Sequence, residues 1–260
     1  MRIAMSQFAA DPNPERNLDH IRETIRQSGD ASIVVFPEAT MACFGIPLGP
    51  IAEPLDGPWA TTVRELAEGS GKLVVAGMFT PSPDGRVTNT LLITGRGVDT
   101  YYDKIHLFDA FGFTESATVA PGERIVVSEV DDVTVGFATC YDIRFPGLFQ
   151  RLADEGAVIT IVPASWGSGP GKREQWELLA RARALDSTTW IVACGQADPT
   201  TVGRKPSKAP TGIGYSLVAS PLGEIRAQLG PEPGLRIVDV DTSEVTEARK
   251  IVPVLANRKF

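Results

Sequence analysis

Three side chains suited to nucleophilic catalysis each follow an apolar, strand-like run of this sequence. Cys140 comes directly after Val133–Thr139, while Glu38 and Lys104 come shortly after two similar runs earlier in the chain. Reacting side chains of α/β proteins commonly lie where the chain leaves the end of a strand. The sequence therefore predicts one composite site that combines a thiol, a carboxylate and an ammonium group.

The three cysteines differ in what their positions indicate. Cys140 precedes a predicted helix, whose N-terminal amides would lower the pKa of a nearby thiol, and a buried structural role is the alternative. Cys194 ends an apolar run and is predicted to be structural. Cys43 lies close after Glu38 and could border the site, but the sequence gives its thiol no partner. These positions indicate neither a disulfide framework nor a metal site.

A reactive thiol needs a base, and the sequence offers two kinds. The chain has two histidines: His20 lies among charged residues of a predicted helix and is expected to be solvated, whereas His106 follows Lys104 closely and remains a candidate. Glu38 is the alternative base, and a surface-loop glutamate is its plainer interpretation. Lys104 and the backbone N–H of Tyr141 are candidates to stabilise an oxyanion.

The composition is that of an ordinary globular protein. The chain has 260 residues, of which 43% are hydrophobic and 22% charged, and a net charge of -7. An acidic chain argues against general nucleic-acid binding, although a local pocket can still bind an anion. The sequence shows neither a signal peptide pattern nor an apolar run of the ~20 residues that a membrane helix needs. We expect one cytoplasmic domain over residues 1–260, without a metal or cofactor.

Strand and helix patterns alternate along the chain. Strands are predicted at Arg2–Phe8, Ser32–Phe36, Leu73–Phe79, Asn89–Thr94, Val98–Tyr102, Val133–Thr139, Val158–Val162, Trp190–Cys194, Ile213–Ser220, Glu224–Leu229 and Leu235–Val240. Helices are predicted at residues 14–28, 57–68, 147–154 and 173–186. Leu178, Ala182 and Leu185 form an apolar stripe on the last of these helices. This order favours two packed sheets covered by helices, with Gln196–Gly212 as a loop and Gly167–Lys172 as a turn.

Three blocks of the sequence resemble one known family. Phe36-Pro-Glu38, Asp103-Lys-Ile-His-Leu-Phe108 and Cys140-Tyr-Asp-Ile-Arg-Phe-Pro146, in this order and at these separations, are similar to the nitrilase superfamily of carbon–nitrogen hydrolases. The resemblance extends from Arg2 to Glu224 and so covers nearly the whole chain. It implies a four-layer α-β-β-α sandwich of the α/β class and a cofactor-independent hydrolase that forms at least a homodimer.

The resemblance also implies roles for individual residues. Cys140 corresponds to the family's nucleophile, Glu38 to its base and Lys104 to its lysine, and Glu115 best matches the second glutamate that orients the lysine and substrate. These residues imply hydrolysis of a small-molecule amide through a thioester. A nitrilase or N-carbamoyl amidase of the same fold is one alternative, and a non-catalytic binding member is another.

The residues after the nucleophile resemble those of the ω-amidase and deaminated glutathione amidase branch. Arg144 is then a candidate to bind a substrate carboxylate, because guanidinium offers a planar, two-pronged match to it. An ion pair of Arg144 with Asp142 or Glu174 is the structural alternative. Two positions depart from the branch, where Gln175-Trp176 replaces a histidine–tryptophan pair and Gly214-Tyr-Ser216 replaces Gly-His-Ser.

Overall fold

The computed structural model describes residues 1–205 and 207–259 of the chain. Strands β1–β13 in this part lie at Arg2–Gln7, Ile33–Val35, Leu73–Pro81, Val87–Gly95, Val98–Asp103, Val119–Ala120, Val127–Val130, Val133–Phe137, Ile159–Ala164, Trp190–Gly195, Leu217–Ala219, Ile225–Gln228 and Gly234–Asp239. Helices α1–α6 lie at Pro14–Gln27, Pro58–Ser70, Pro146–Asp154, Lys172–Ser187, Ser243–Ile251 and Val254–Asn257. Short 3-10 helices add single turns, among them Cys140–Arg144.

The strands form two mixed sheets. The first has the order β13-β1-β2-β3-β4-β5, with β6 paired to β4, and the second has the order β12-β11-β10-β9-β8-β7. Strands β1, β2 and β3 are parallel, as are β8, β9 and β10, while the outer pairs are antiparallel. The predicted hairpin around Pro221-Leu-Gly223 is confirmed as the antiparallel pair β11–β12.

Three apolar layers hold the sheets and helices together. Alternate residues of both sheets interlock in a central layer that includes Ile3, Val75, Phe137 and Ile161. Helices α1 and α2 bury an apolar face on the outer side of the first sheet, and α3 and α4 do the same on the second sheet. Because period-2 strands expose two faces, each sheet can contact its partner sheet and a helix layer at once. The four-layer α-β-β-α prediction is confirmed.

Helix α1 begins and packs as its sequence indicates. The Asn13 side chain accepts a hydrogen bond from the Glu15 N–H, and proline occupies the first helical position, where its missing N–H costs nothing. The predicted face of Leu18, Ile21 and Ile25 is buried against the first sheet. The local signals and the apolar period therefore agree for this helix.

The prediction of a solvated His20 is wrong. Its ring stacks on Phe8 with 4.0 Å between centroids, and its Nε2 lies 3.1 Å from the Ser6 hydroxyl. Burial lowers the pKa of His20 to about 4, so the ring is neutral at pH 7. His20 faces β1, although the charged residues Asp19, Arg22 and Glu23 around it in the sequence face solvent.

The apolar stripe predicted on the last long helix does not face the core. Leu178 is 65% and Leu185 45% exposed, while Trp176, Ala180 and Ala184 pack on the second sheet. Small alanines allow the axis of α4 to approach β10 and β11 closely, so the larger leucines lie on the opposite side. This exposed apolar face is one of the few on the described part of the chain.

The C-terminal helices α5 and α6 were not predicted. Helix α5 is short and buries Val245 and Ala248. Among the helices of the described residues, none is both long and apolar enough to cross a membrane.

Candidate active site

A cavity of about 530 Å³ lies among loops that follow strands of both sheets. Glu38, Lys104, Glu115 and Cys140 line it, and five aromatic side chains are among its other lining residues. The first three residues belong to loops of the first sheet, whereas Cys140 follows β8 of the second. All four residues predicted to perform the chemistry therefore line one space.

Glu38 is held by a tight crossing of backbone. Its loop leaves β2 at Pro37 and lies directly on Gly77 of β3, where a Cβ atom would stand 2.5 Å from the backbone nitrogen of Ala39. Only glycine fits such an approach. The Met41 N–H then donates to the Gly77 carbonyl at 2.8 Å. The side chain of Glu38 is only 1% exposed, so its direction is set by this packing.

Lys104 joins two carboxylates in a buried ion cluster. Its Nζ lies 2.9 Å from Glu38 Oε1 and 2.9 and 3.1 Å from the two carboxylate oxygens of Glu115. Burial by itself lowers the pKa of Lys104, but the charges of Glu38 and Glu115 outweigh it and raise that pKa well above its usual range. The ammonium group is therefore charged at every pH at which the protein works.

Two donors that the sequence analysis did not identify complete the shell of Glu38. Asn89 in β4 donates from Nδ2 to Glu38 Oε1 at 2.7 Å and to Glu115 at 3.2 Å. The backbone N–H of Ser165, which follows β9, donates to Glu38 Oε2 at 2.7 Å. Both carboxylate oxygens of Glu38 thus accept hydrogen bonds, one of them from the opposite sheet. Glu115 is fixed in turn by the Phe108 N–H at 2.6 Å.

Cys140 has a strained backbone conformation. Its φ of +47° lies in the left-handed region, which non-glycine residues adopt at a cost. The residue opens the 3-10 helix Cys140–Arg144, and its Sγ lies 3.8 Å from the Ser165 carbonyl oxygen. A sharp turn at this position directs the thiol towards Glu38 instead of along the strand.

The pKa of the Cys140 thiol is raised, whereas the sequence led us to expect that helix amides would lower it. Burial, and then the charge of Glu38, raise this pKa well above its usual range, against the opposing effect of Lys104. The raised pKa favours the protonated thiol, so a nucleophilic role of Cys140 requires a base. Cys194 lies between the two sheets, and burial raises the pKa of its thiol to about 12. These contacts agree with the structural role predicted for it.

His106 does not line the cavity. Its Nδ1 lies 2.7 Å from Asp142 Oδ1, and its ring stacks on Phe145 at 3.6 Å. Asp142 also accepts from the Thr139 N–H at 2.8 Å and from the Tyr102 hydroxyl at 2.7 Å. His106 thus supports the turn that carries the thiol, and Glu38 is the base candidate inside the cavity.

Arg144 lines the cavity and makes neither of the ion pairs considered from the sequence. Its Nη2 donates to Gln175 Oε1 at 2.7 Å, and no carboxylate of the described residues lies within ion-pair distance of it. Its Nε is buried without a hydrogen-bond partner in the described structure. Its Cζ lies 5.1 Å from the ring centroid of Trp166 and 5.9 Å from that of Tyr141. The cation is therefore held by a neutral amide and aromatic rings.

The loop Gln196–Gly212 contributes to the same space. Gln196 donates from Nε2 to the Glu38 carbonyl oxygen at 2.9 Å, and Ala209 and Pro210 line the cavity. Apart from the 3-10 helix Pro199–Val202, its described residues form no regular element, and Pro206 lies outside the described residues. Cys43 does not line this cavity but faces a smaller neighbouring one.

Comparisons with known proteins give the family. The model of the carbon–nitrogen hydrolase family matches residues 2–250, so the chain belongs to this family and is an enzyme of the nitrilase superfamily. It is 54% identical over 268 residues to a hydrolase of Mycobacterium tuberculosis, covering 99% of this chain and 95% of the relative. It is 34% identical over 267 residues to the deaminated glutathione amidase of Escherichia coli O157:H7, covering 100% and 98%. The structure of Saccharomyces cerevisiae Nit3, a nitrilase superfamily member, superposes with a TM-score of 0.85 at 25% identity over 100% of this chain and 97% of Nit3.

Proposed function

We propose that the enzyme is an amidase that releases ammonia from a small, carboxylate-bearing amide through a thioester on Cys140. The main support for the proposal is that the Cys140 thiol and the Glu38 carboxylate both contact the backbone of Ser165. Cys140 Sγ lies 3.8 Å from the Ser165 carbonyl oxygen, and Glu38 accepts a hydrogen bond of 2.7 Å from the N–H of the same residue. A buried thiol next to a buried carboxylate and a permanent ammonium is the arrangement that acyl transfer needs.

In the first half-reaction Cys140 Sγ attacks the amide carbon while Glu38 takes the thiol proton. The oxyanion accepts hydrogen bonds from Lys104 Nζ and the Tyr141 N–H. When the C–N bond breaks, Glu38 returns its proton to the leaving nitrogen, and ammonia departs from a thioester.

In the second half-reaction water replaces ammonia. Glu38 removes a proton from this water, the hydroxyl oxygen attacks the thioester carbon, and the C–S bond breaks. The carboxylic acid product leaves as Cys140 regains its proton. Glu38 thus performs every proton transfer. Lys104, which remains charged throughout, stabilises both tetrahedral intermediates.

The charge of Arg144 supports a carboxylate on the substrate. A guanidinium that faces a cavity without a carboxylate partner favours an anionic ligand, which would satisfy its free hydrogen-bond donors. The E. coli relative is named a deaminated glutathione amidase, which supports an amide as the reacting group. We therefore place the enzyme with amidases of the ω-amidase or deaminated glutathione amidase type.

A substrate panel tests this function. We expect ammonia release from ω-monoamides of dicarboxylic acids, and much slower or no release from the corresponding nitriles and ureido compounds. Faster turnover of nitriles or ureido compounds would favour a nitrilase or an N-carbamoyl amidase of the same fold. No turnover of any of the three classes by the folded protein would favour the non-catalytic alternative.

Arg144→Lys should separate a substrate-binding role from a structural one. Lysine keeps the charge but cannot offer two parallel N–H donors, so kcat/KM for a carboxylate-bearing amide should fall ~10–100-fold. A neutral amide of similar size should lose less than about threefold, because it makes no contact with the guanidinium. Steady-state ammonia release from both amides measures this difference. Equal losses on the two amides would return Arg144 to a structural role.

The exposed apolar face of α4 and the β11–β12 turn supports a homodimer. Leu178, Leu185 and Leu222 are 65%, 45% and 45% exposed on this surface, and a second copy of the chain would cover them. Light scattering should give twice the chain mass of 27.9 kDa. A double Leu178→Glu, Leu185→Glu variant should be monomeric, since charges would be buried unpaired in the interface. A monomeric wild-type protein would contradict the proposal.

A further inference from the structure

The cavity contains a second cation that the proposed reaction does not use. Lys172, the first residue of α4, extends its Nζ to 3.4 Å from the ring centroid of Phe111 and 5.6 Å from that of Phe108. It is half-buried, and among the described residues no carboxylate lies within ion-pair distance of it. In the sequence this residue only closes a predicted turn, so its position in the cavity comes from the fold.

The charges of the cavity are unbalanced in one direction. Its two lining carboxylates, Glu38 and Glu115, are both bound to Lys104, and the lining Arg86 is paired with Asp84 outside the cavity. Arg144 and Lys172 remain without counter-charges in a protein whose net charge is -7. The cavity therefore has an excess of positive charge, although the protein as a whole is negatively charged.

The two unpaired cations lie near the same aromatic ring. The Cζ of Arg144 is 6.0 Å and the Nζ of Lys172 3.4 Å from the centroid of Phe111. Burial, and then the charge of Arg144, lower the pKa of Lys172, so the two cations repel each other when no ligand lies between or beside them. An anionic ligand would relieve this repulsion as well as gain two charge-assisted hydrogen bonds.

Phe111 is held in a costly conformation over Lys172. Its φ of +55° is in the left-handed region and its side chain is 65% exposed, although a large apolar side chain gains from burial. The cation–π contact offsets part of this cost.

We propose that Lys172 is a second anion-binding side chain of the active-site cavity and that the preferred substrate is an amide with two acidic groups, one bound by Arg144 and the other by Lys172. This inference rests on the proposed amidase function and deepens it. An amide with one carboxylate uses only one of the two cations. Lys172 is then a specificity-determining residue, which distinguishes singly from doubly charged amides without touching the reacting atoms.

The test compares glutaramate, which carries one carboxylate, with its 2-carboxy and 3-carboxy analogues, which carry two. Lys172→Met keeps a long, unbranched side chain and removes its charge. We compare kcat/KM of this variant with that of the wild-type enzyme. On whichever doubly charged amide the wild-type enzyme turns over faster, kcat/KM should fall about tenfold, and on glutaramate it should fall less than about threefold. Lys172→Arg should restore most of the loss. Lys250→Met, the same charge change at an exposed residue of α5, serves as the control and should change neither value.

Calorimetric binding of the same three amides in a Cys140→Ala background makes the result independent of turnover. The Kd ratio between singly and doubly charged amides should change about tenfold on Lys172→Met, and the preference should weaken with added salt. If no amide is turned over but this ratio shifts, the amidase function fails and the anion site stands. If Lys172→Met affects all three amides equally or not at all, or if none of them binds, the role of Lys172 is overturned.

Discussion

Cys140→Ala should abolish ammonia release, with kcat reduced by at least about 10⁴-fold. No other described thiol lines the cavity, since Cys194 lies between the sheets and Cys43 faces a separate pocket. Removal of a small, buried side chain should leave the fold intact, which circular dichroism and thermal unfolding would check. Residual activity within tenfold of the wild-type enzyme would exclude Cys140 as the nucleophile.

The covalent step can be observed directly in a second variant. Glu38→Gln keeps the hydrogen-bonding shape of the side chain but cannot remove a proton from water, so deacylation should slow by the ~10²–10⁴-fold typical of a lost general base. Intact-protein mass spectrometry during incubation with substrate should then show an acyl adduct, and peptide mapping should place it on Cys140. An adduct on Cys43 or Cys194 would contradict the assignment.

Lys104→Met should remove activity and stability together. The substitution leaves the carboxylates of Glu38 and Glu115 buried near each other without their cation, a change that costs ~3–5 kcal/mol of unfolding free energy. It also removes one of the two proposed oxyanion donors, so kcat should fall by about 10²–10³-fold even in the folded fraction. Urea unfolding and ammonia release measure the two effects separately.

The pH dependence of this variant identifies the cause. Protonation removes the repelling negative charges, so the stability difference between Lys104→Met and the wild-type protein should shrink as the pH falls. Lys72→Met is the matched control, because Lys72 is a similarly buried lysine whose Nζ donates only to the carbonyl oxygens of Gly29 and Ala31. It should lose stability without a comparable change of kcat. A stability difference for Lys104→Met that does not depend on pH would argue against the ion cluster as its source.

Much of the fold could be predicted from the sequence because its strands are β-branched runs with turn residues between them. The buried face of α4 was mispredicted because periodicity identifies an apolar side of a helix but not the side that a sheet covers. Where helix and sheet backbones approach closely, small alanines fit better than leucines. His20 was mispredicted for the related reason that its charged neighbours point elsewhere. Helix α5 was not predicted although its ends carry the charges typical of a helix, Glu244 in the first turn and Arg249 and Lys250 in the last.

The candidate site was predictable only where chemistry depends on residue type. A thiol, two carboxylates and a lysine can be recognised in a sequence, whereas Ser165 contributes a backbone N–H that any residue but proline carries. Asn89 lies in β4 between two threonines, and the sequence gives no sign of the partners of its side chain. Lys172 lies in a predicted turn that nothing in the sequence connects to Cys140, and only the packing of α4 brings the two residues to one cavity.

The division of the site between the two sheets makes activity a measure of how well the sandwich is closed. Glu38 and Lys104 are carried by one sheet and Cys140 by the other, and the hydrogen bonds that link the two sides include Ser165–Glu38 and Tyr102–Asp142. A slide of one layer over the other by the length of a single bond would break both links and leave every strand and helix intact. Inactivation on warming would therefore precede the loss of secondary structure, and the enzyme would lose activity while its circular dichroism spectrum remained that of the folded protein.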